Sequence, residues 1–160
     1  MHRGVEAICA ARDLDPLTAA TRHWARRLTG ADGVTFILRA GETCYYADEE
    51  AIEPLWKGQR FPLEKCVSGW VMQHKTSVLI PDIYADPRVP HDVYRPTFVK
   101  SLLVVPVRKA DPIAALGAYW KHTSAPTTGH VQIAEVLAEA VAVRLASEQL
   151  WTRVKDALAR

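Results

Sequence analysis

Phe61-Pro62-Leu63-Glu64-Lys65-Cys66-Val67-Ser68-Gly69-Trp70-Val71, then Pro81-Asp82-Ile83-Tyr84-Ala85-Asp86-Pro87, then Ser101-Leu102-Leu103-Val104-Val105-Pro106-Val107, decide how this 160-residue chain folds. Pro62 keeps residues 61–63 out of helix, in a short extended segment. Residues 68–75 read as a helix carrying Trp70, Val71 and His74 on neighbouring faces, ended before a strand at 77–80. Pro81, Pro87, Pro90 and Pro96 punctuate a loop running to Thr97, with one short helix around residues 91–94. In a compact domain, irregular stretches of this length are functional or mobile. Residues 101–108 and 113–121 are two neighbouring antiparallel strands, and Gly117 in the second marks a close approach to the backbone.

Toward the N-terminus, Asp13-Leu14-Asp15-Pro16 has the composition of a helix start, with Asp15 as the cap and Pro16 at the first helical position. Leu17, Ala20, Thr21, Trp24, Ala25 and Leu28 follow at helical spacing, and Gly30 closes the helix. Residues 33–39 are rich in β-branched and aromatic side chains and turn through 40–42 into a second strand at 43–47. Residues 48–57 resume helical character. From about Gly129 the chain lacks proline and glycine, which predicts one helix of about 28 residues, about 42 Å long. Its seam is Ile133, Val136, Ala140, Val143, Leu150 and Val154, interrupted by Ser147, with Leu137, Val141 and Leu145 beside it. One line of side chains can cover a sheet and the other can meet a second copy of the helix. A single wide face on its own domain accounts for residues 133–145 but leaves Leu150, Trp151, Val154 and Leu158 unpartnered.

Composition limits the options further. With 49% hydrophobic and 24% charged residues the chain supports one complete core and not two. A net charge of +2, with scattered basic residues, gives no footprint for nucleic acid or a membrane surface. Cys9, Cys44 and Cys66 cannot all pair and lack zinc spacing, so a reducing cytoplasm is expected. No signal peptide and no window of roughly 18 apolar residues is present. Glycine-rich phosphate loops, Gly-x-Ser-x-Gly, His-Glu-x-x-His and paired carboxylates at catalytic spacing are absent. Asp13, Asp15, Glu49 and Glu50 are accounted for by helix starts and a solvated turn.

Val67-Ser68-Gly69-Trp70-Val71, Ile80-Pro81-Asp82-Ile83, Val104-Val105-Pro106-Val107 and Ala115-Leu116-Gly117-Ala118-Tyr119, in this order and spacing, resemble a GAF domain from Leu14 to about Leu150. The resemblance implies an α+β, GAF/PAS-like fold: a central antiparallel sheet of five to six strands, terminal helices bundled on one face, and a ligand pocket on the other, roofed by residues 68–74 and 82–99. The PAS fold is the structural rival, disfavoured by the helices that bracket the sheet. The whole chain, 1–160, is then a single domain, with 1–13 a lead-in and 146–160 a signalling or dimerisation extension. A chain ending at Arg160 in mid-helix would suit an excised or stand-alone input module.

The pocket implied by the resemblance draws on Trp56, Phe61, Trp70, Tyr84, Tyr94, Phe98 and Trp120, with Cys66, His74, His91 and Ser101 as polar contacts. Small-molecule sites have this apolar character with a few placed polar groups, but the same rings can instead plug the cavity as core. Cys66 stands where the family has a glycine, either as an inert buried thiol or as a reactive group at the pocket mouth. Bilin-binding relatives carry a cysteine before a loop histidine; here Pro90-His91 occupies that position, so no covalent bilin is expected, and His91 is left as a surface residue or a lone ligand. Free methionine-(R)-sulfoxide reductases need a cysteine at the position of Ser68 and another near residues 94–96. Cyclic-nucleotide motifs are also missing. The resemblance therefore implies a non-enzymatic cytoplasmic sensor, homodimeric through its terminal helices, with an unknown small ligand and an output such as a histidine kinase or transcriptional regulator. The alternatives are a structural dimerisation module with a plugged pocket, or a thiol-dependent reductase using Cys44 and Cys66.

Overall fold

The computed structural model describes residues 1–159, so position 160 of the expected extension lies outside the described residues. Six strands, β1 (Gly33–Ala40), β2 (Thr43–Ala51), β3 (Arg60–Pro62), β4 (Val78–Ile80), β5 (Ser101–Val107) and β6 (Ala114–Trp120), form one antiparallel sheet in the order β3-β2-β1-β6-β5-β4. β5 and β6 are buried at every position, because the sheet is covered on both faces and its central strands therefore lose the polar alternation of a half-exposed sheet. Alternation survives as a choice of face. Leu103, Val105, Leu116, Ala118 and Trp120 point to one core, while Leu102, Val104, Ala115 and Tyr119 point to the other. Gly117 sits on the second face, where a Cβ would lie 2.3 Å from the Tyr119 hydroxyl and 2.6 Å from Thr35 Oγ1. Its missing side chain is the space in which Tyr119 and Thr35 hydrogen-bond at 2.9 Å.

One face is covered by helices α1 (His2–Ala10), α2 (Leu14–Thr29), α5 (Thr128–Leu145) and α6 (Glu148–Ala159). The expected lead-in thus contains a helix, with Gly4 and Ile8 buried. α2 begins at Leu14, so Asp15 and Pro16 lie inside its first turn and Asp13 takes the cap position. The predicted single C-terminal helix is two. α5 opens on a capping box in which the Thr127 hydroxyl and the His130 ring each accept the other's backbone N–H, and it ends at Leu145 before α6 starts beyond Ser147. The break turns Leu150 and Val154 into the helix-side core, with Trp151 and Leu158 packed against it. These residues therefore have their partners within the domain and do not continue the seam of Ile133, Val136, Ala140 and Val143. Arg153 ties α6 to the Arg12 carbonyl, and Arg60 donates to the Leu158 carbonyl.

Residues 48–57 are not helical: β2 runs on to Ala51 and a loop follows. The cause is a β-bulge. Phe36 pairs with Asp48 and Ile37 with Tyr46, leaving Ala47 as the extra residue. Ala47 and Asp48 consequently share the helix face, where Asp48 accepts from Thr18 at 2.9 Å and pairs with Arg22, and with Lys57 at 3.2 Å. Burial alone would push the Asp48 carboxyl up, but the hydrogen bonds from Thr18, Lys57 and Arg22 hold it below the ordinary carboxylate value. Glu49 points to the opposite side and accepts the backbone N–H groups of Leu55, Trp56 and Lys57 at 2.8 Å each. Helix-forming composition is overridden here by carboxylates that find fixed partners on both faces of a strand.

The second face is roofed by short pieces: a 3-10 turn at Leu63–Lys65, α3 (Val67–His74), a 3-10 turn at Ile83–Ala85, and α4 (His91–Tyr94). α3 sits directly on the preceding turn. A Cβ at Gly69 would lie 1.8 Å from the Leu63 carbonyl oxygen, so only glycine permits this approach.

Candidate functional site

The loop-side face gathers aromatic side chains from different elements around one crevice. Tyr46 comes from β2, Phe61 from β3, Trp56 from the 52–59 loop and Tyr94 from α4. Ring centroids are 5.6 Å apart for Tyr46 and Trp56, 5.5 Å for Tyr46 and Phe61, 4.8 Å for Trp56 and Tyr94, and 5.4 Å for Trp56 and Tyr119, all edge-to-face. That is the favoured geometry for rings whose edges are positive and faces negative. Trp56 is held in place by its backbone amide on Glu49. The space left among Tyr46, Trp56, Phe61, Cys66, Val93 and Tyr94 is about 10 Å³, room for about one water.

A buried polar chain runs along one wall. The Tyr46 hydroxyl meets Ser68 Oγ at 3.1 Å, Ser68 Oγ lies 3.5 Å from Cys66 Sγ, and Cys66 Sγ lies 3.2 Å from Cys44 Sγ. Burial pushes Tyr46, Tyr94 and Tyr119 above the ordinary tyrosine value, with neighbouring phenols adding to it at Tyr46 and Tyr94, so these are neutral hydroxyls and not bases. The hydrogen bond between the two thiols is the largest influence on both. It raises Cys44 and lowers Cys66, the latter to about 7, aided by Ser68 and the Gly69 backbone N–H against the effect of burial. Among the described residues no buried side-chain polar atom is left without a partner, and no cluster of three or more His, Cys, Asp or Glu could hold a metal.

Of the residues expected in the pocket, Trp56, Phe61, Cys66 and Tyr94 meet in the crevice. Phe98 is half-buried on the same face, near Gly33. Trp70 and His74 instead stack on each other at 4.1 Å on the outer side of α3, with the Arg88 guanidinium 4.5 Å over Trp70 and His74 exposed. Arg88 is itself gripped by Asp86, whose carboxyl it holds below the ordinary value. Tyr84 and His91 pair at 5.3 Å near the surface, and His91 Nε2 lies 3.1 Å from the Asp86 carbonyl. Ser101 is buried but spends its hydroxyl on the His122 carbonyl at 2.6 Å. Trp120 lies on the wrong side of the sheet for the pocket, in the helix-side core against His130. Its neighbour Tyr119 faces the crevice, because successive strand residues point to opposite faces. Tyr46, Ser68 and Tyr119 join the site without having been expected in the pocket, and so does Cys44, which the sequence singles out only as a thiol partner for Cys66. Alternation along β2 and β6 is the signal that points to Cys44, Tyr46 and Tyr119.

Solved structures of other proteins share this architecture. The chain resembles in structure the GAF domain of an Acinetobacter phosphoenolpyruvate-protein phosphotransferase (TM-score 0.77, 16% identity, covering 91% of this chain and 89% of that one). It is similar to a free methionine-R-sulfoxide reductase of Neisseria meningitidis, solved with its substrate (TM-score 0.79, 20% identity, 91% and 85% covered). It also resembles the chromophore-binding domain of a bacteriophytochrome from R. palustris (TM-score 0.75, 13% identity, 91% and 59% covered). At these identities the likeness shows a shared fold. No curated protein matches the chain in sequence. Among the described residues no helix is long and apolar enough to cross a membrane. The family model for the GAF domain matches residues 13–145, which take in the sheet, its roof and the helices α2 and α5, and the chain therefore belongs to the GAF domain family.

Proposed function

We propose that this chain is a non-enzymatic, cytoplasmic regulatory GAF domain that takes a small ligand at the Trp56–Tyr94 crevice and passes the change to a second copy through its helices. The observation that carries this reading is how the crevice is closed. Two of the side chains that shut it, Trp56 and Tyr94, come from the 52–59 loop and a four-residue helix, while its wall is a polar chain fixed to the sheet and α3. A ligand needs to displace rings on short elements only, and the proline-punctuated segment 82–99 is the part that moves.

The signal leaves by α5. Val136 and Val143 are 43% and 65% exposed, with Ile133 half-buried beside them. Val136 and Val143 form a stripe at heptad spacing that suits a parallel or antiparallel pairing with the same helix of another copy, while Ala140 between them is buried against the helix-side core. The output would be a kinase or transcriptional regulator. No nucleic acid or membrane contact is part of this reading.

The small space left in the crevice favours a second reading, a structural dimerisation module whose pocket is filled by its own rings. Native mass spectrometry of protein purified from its own host, with thermal unfolding across a metabolite panel, separates the two. A bound mass, or a ligand that raises the midpoint and protects residues 82–99 from hydrogen exchange, is expected for the sensor. A dimer at bare polypeptide mass that responds to nothing overturns it in favour of the module. A monomer at micromolar concentration removes the α5 pairing from both.

A further inference from the structure

Cys44 and Cys66 are far apart in sequence, yet their sulfurs lie 3.2 Å apart in the core. The fold brings them together in two steps. Cys44 faces the roof from β2 opposite Phe61 of β3, and the turn at Leu63–Lys65 then folds the chain back so that Cys66 caps α3 beside it. The two differ in access. Cys44 is fully buried, whereas Cys66 is 6% exposed and lines the crevice between Phe61, Pro90 and Tyr94. They also differ in surroundings. Protonated, Cys66 donates toward the Pro62 carbonyl at 3.5 Å, and the Leu63 carbonyl is 3.9 Å away; ionised, it accepts from Cys44, from Ser68 and from the Gly69 N–H. A thiol flanked by hydrogen-bond donors at a helix start, with a second thiol in contact, has the arrangement of a nucleophile and its resolving partner.

We propose that Cys66 and Cys44 form a peroxide-reactive dithiol site that closes to an internal disulfide between β2 and α3. The oxidant is a small hydroperoxide, of which hydrogen peroxide fits a crevice with room for little more than a water. The Cys66 thiolate attacks one peroxide oxygen, the O–O bond breaks, and with one proton taken up Cys66 becomes a sulfenic acid while water leaves. The Cys44 thiol then attacks the Cys66 sulfur, the S–S bond forms, and the hydroxyl departs with the Cys44 proton as a second water. Two thiols are oxidised by two electrons and the peroxide is reduced to two waters. The sulfurs need to close from 3.2 Å to about 2.0 Å, a movement that draws the start of α3 and the Ser68–Tyr46 contact toward β2. The site stands apart from the ligand reading and holds whether or not the crevice takes a ligand.

The test is stoichiometric hydrogen peroxide on the whole reduced chain, quenched by alkylation and followed by intact mass and peptide mapping. The expected product has lost about 2 Da, contains a Cys44–Cys66 cross-linked peptide, retains an alkylated Cys9, and returns to three thiols with a dithiol reductant. Cys44→Ser should stop at a sulfenic acid on Cys66, trapped by a 1,3-diketone, and then progress to the sulfinic acid. Cys66→Ser should leave Cys44 unreacted and slow total oxidation about tenfold, to the rate of an ordinary exposed thiol. Oxidation confined to Cys9, dimers cross-linked through Cys9, or a wild-type rate equal to that of Cys66→Ser would overturn the proposal. The wild-type peptide map decides the matter even where a variant fails to fold.

Discussion

The two faces of one sheet are built from different materials. The helix side is mainly aliphatic, with Leu17, Val34, Leu38, Leu103, Val105, Leu137 and Val141 packed under long helices beside the rings of Phe36 and Trp120, whereas the roof side holds Tyr46, Trp56, Tyr94, Tyr119, Cys44, Cys66 and Ser68. The difference comes from the covering elements. α2 and α5, at 16 and 18 residues, lay continuous ridges of small and medium side chains on the sheet. The roof pieces are three to eight residues long and reach the sheet at separate points, so large rings bridge the gaps and their hydroxyls need partners. One side is a continuous scaffold, and the other gathers the buried hydroxyls and thiols.

Substitutions on either face put that contrast to the test. Gly69→Ala should have the largest effect, because its new methyl meets backbone and cannot be relieved by a rotamer; a loss above about 4 to 5 kcal/mol is expected by urea unfolding. A near-neutral result would mean that α3 does not sit on the 63–65 turn as described. Next, Trp56→Ala and Leu137→Ala should each cost about 3 to 4 kcal/mol, yet differ in rescue. Indole should raise the melting midpoint of Trp56→Ala and leave that of Leu137→Ala unmoved. Equal responses would erase the distinction between a fillable roof and a fixed scaffold.

Asp48→Asn should cost about 1 to 2 kcal/mol at neutral pH through lost contacts with Arg22 and Lys57. The folded-state carboxyl is held below its unfolded value, so this contribution is complete above about pH 4 and fades as pH falls through the lower folded value. Denaturation curves of the two proteins should converge in acid, and a constant gap would show that packing, not charge, is responsible. The smallest effect on stability belongs to Val143→Lys, expected within about 0.5 kcal/mol of the parent. Its sedimentation coefficient should nonetheless fall to that of a monomer, which would show that the scaffold side carries an association surface on its back.

Much of this architecture is legible in the residues. Proline and glycine punctuation places the 82–99 loop and the turn after α2, β-branched runs place β1 and β5, and the turn at 109–112 sets β6 beside β5. The acidic stretch of β2 is not legible, because its state depends on Thr18, Arg22 and the distant amides that its carboxylates bind. α1 is short and gives little warning beyond Gly4 and Ile8, one helical turn apart. The division between α5 and α6 has only a faint sign, Ser147 ahead of Glu148, a helix-start pair without a proline or glycine to announce it. At the site, four of the eleven expected residues converge in the crevice. Aromatic content alone favours Trp120 over Tyr119, and strand parity is what separates them. The nearness of Cys44 to Cys66 depends on the β2–β3 register and a 3-10 turn, neither of which a spacing of 22 positions reveals.

The extra residue at Ala47 changes how this gene segment tolerates lesions. Strand β2 is written in two phases, with residues 43–46 in one and 48–51 in the other, and Ala47 is the spacer that resets them. Removing that one codon would merge the two phases: Tyr46, Asp48 and Glu49 would then alternate as roof, helix side and roof, and every later residue would keep its partner on β1 and its face. The loss would fall on the local twist and on the packing of Ala47 against the helix-side core, while Asp48 keeps Thr18 and Glu49 keeps the amides of Leu55, Trp56 and Lys57. A codon lost from the exposed 121–124 turn shortens one connection and reverses nothing in the sheet.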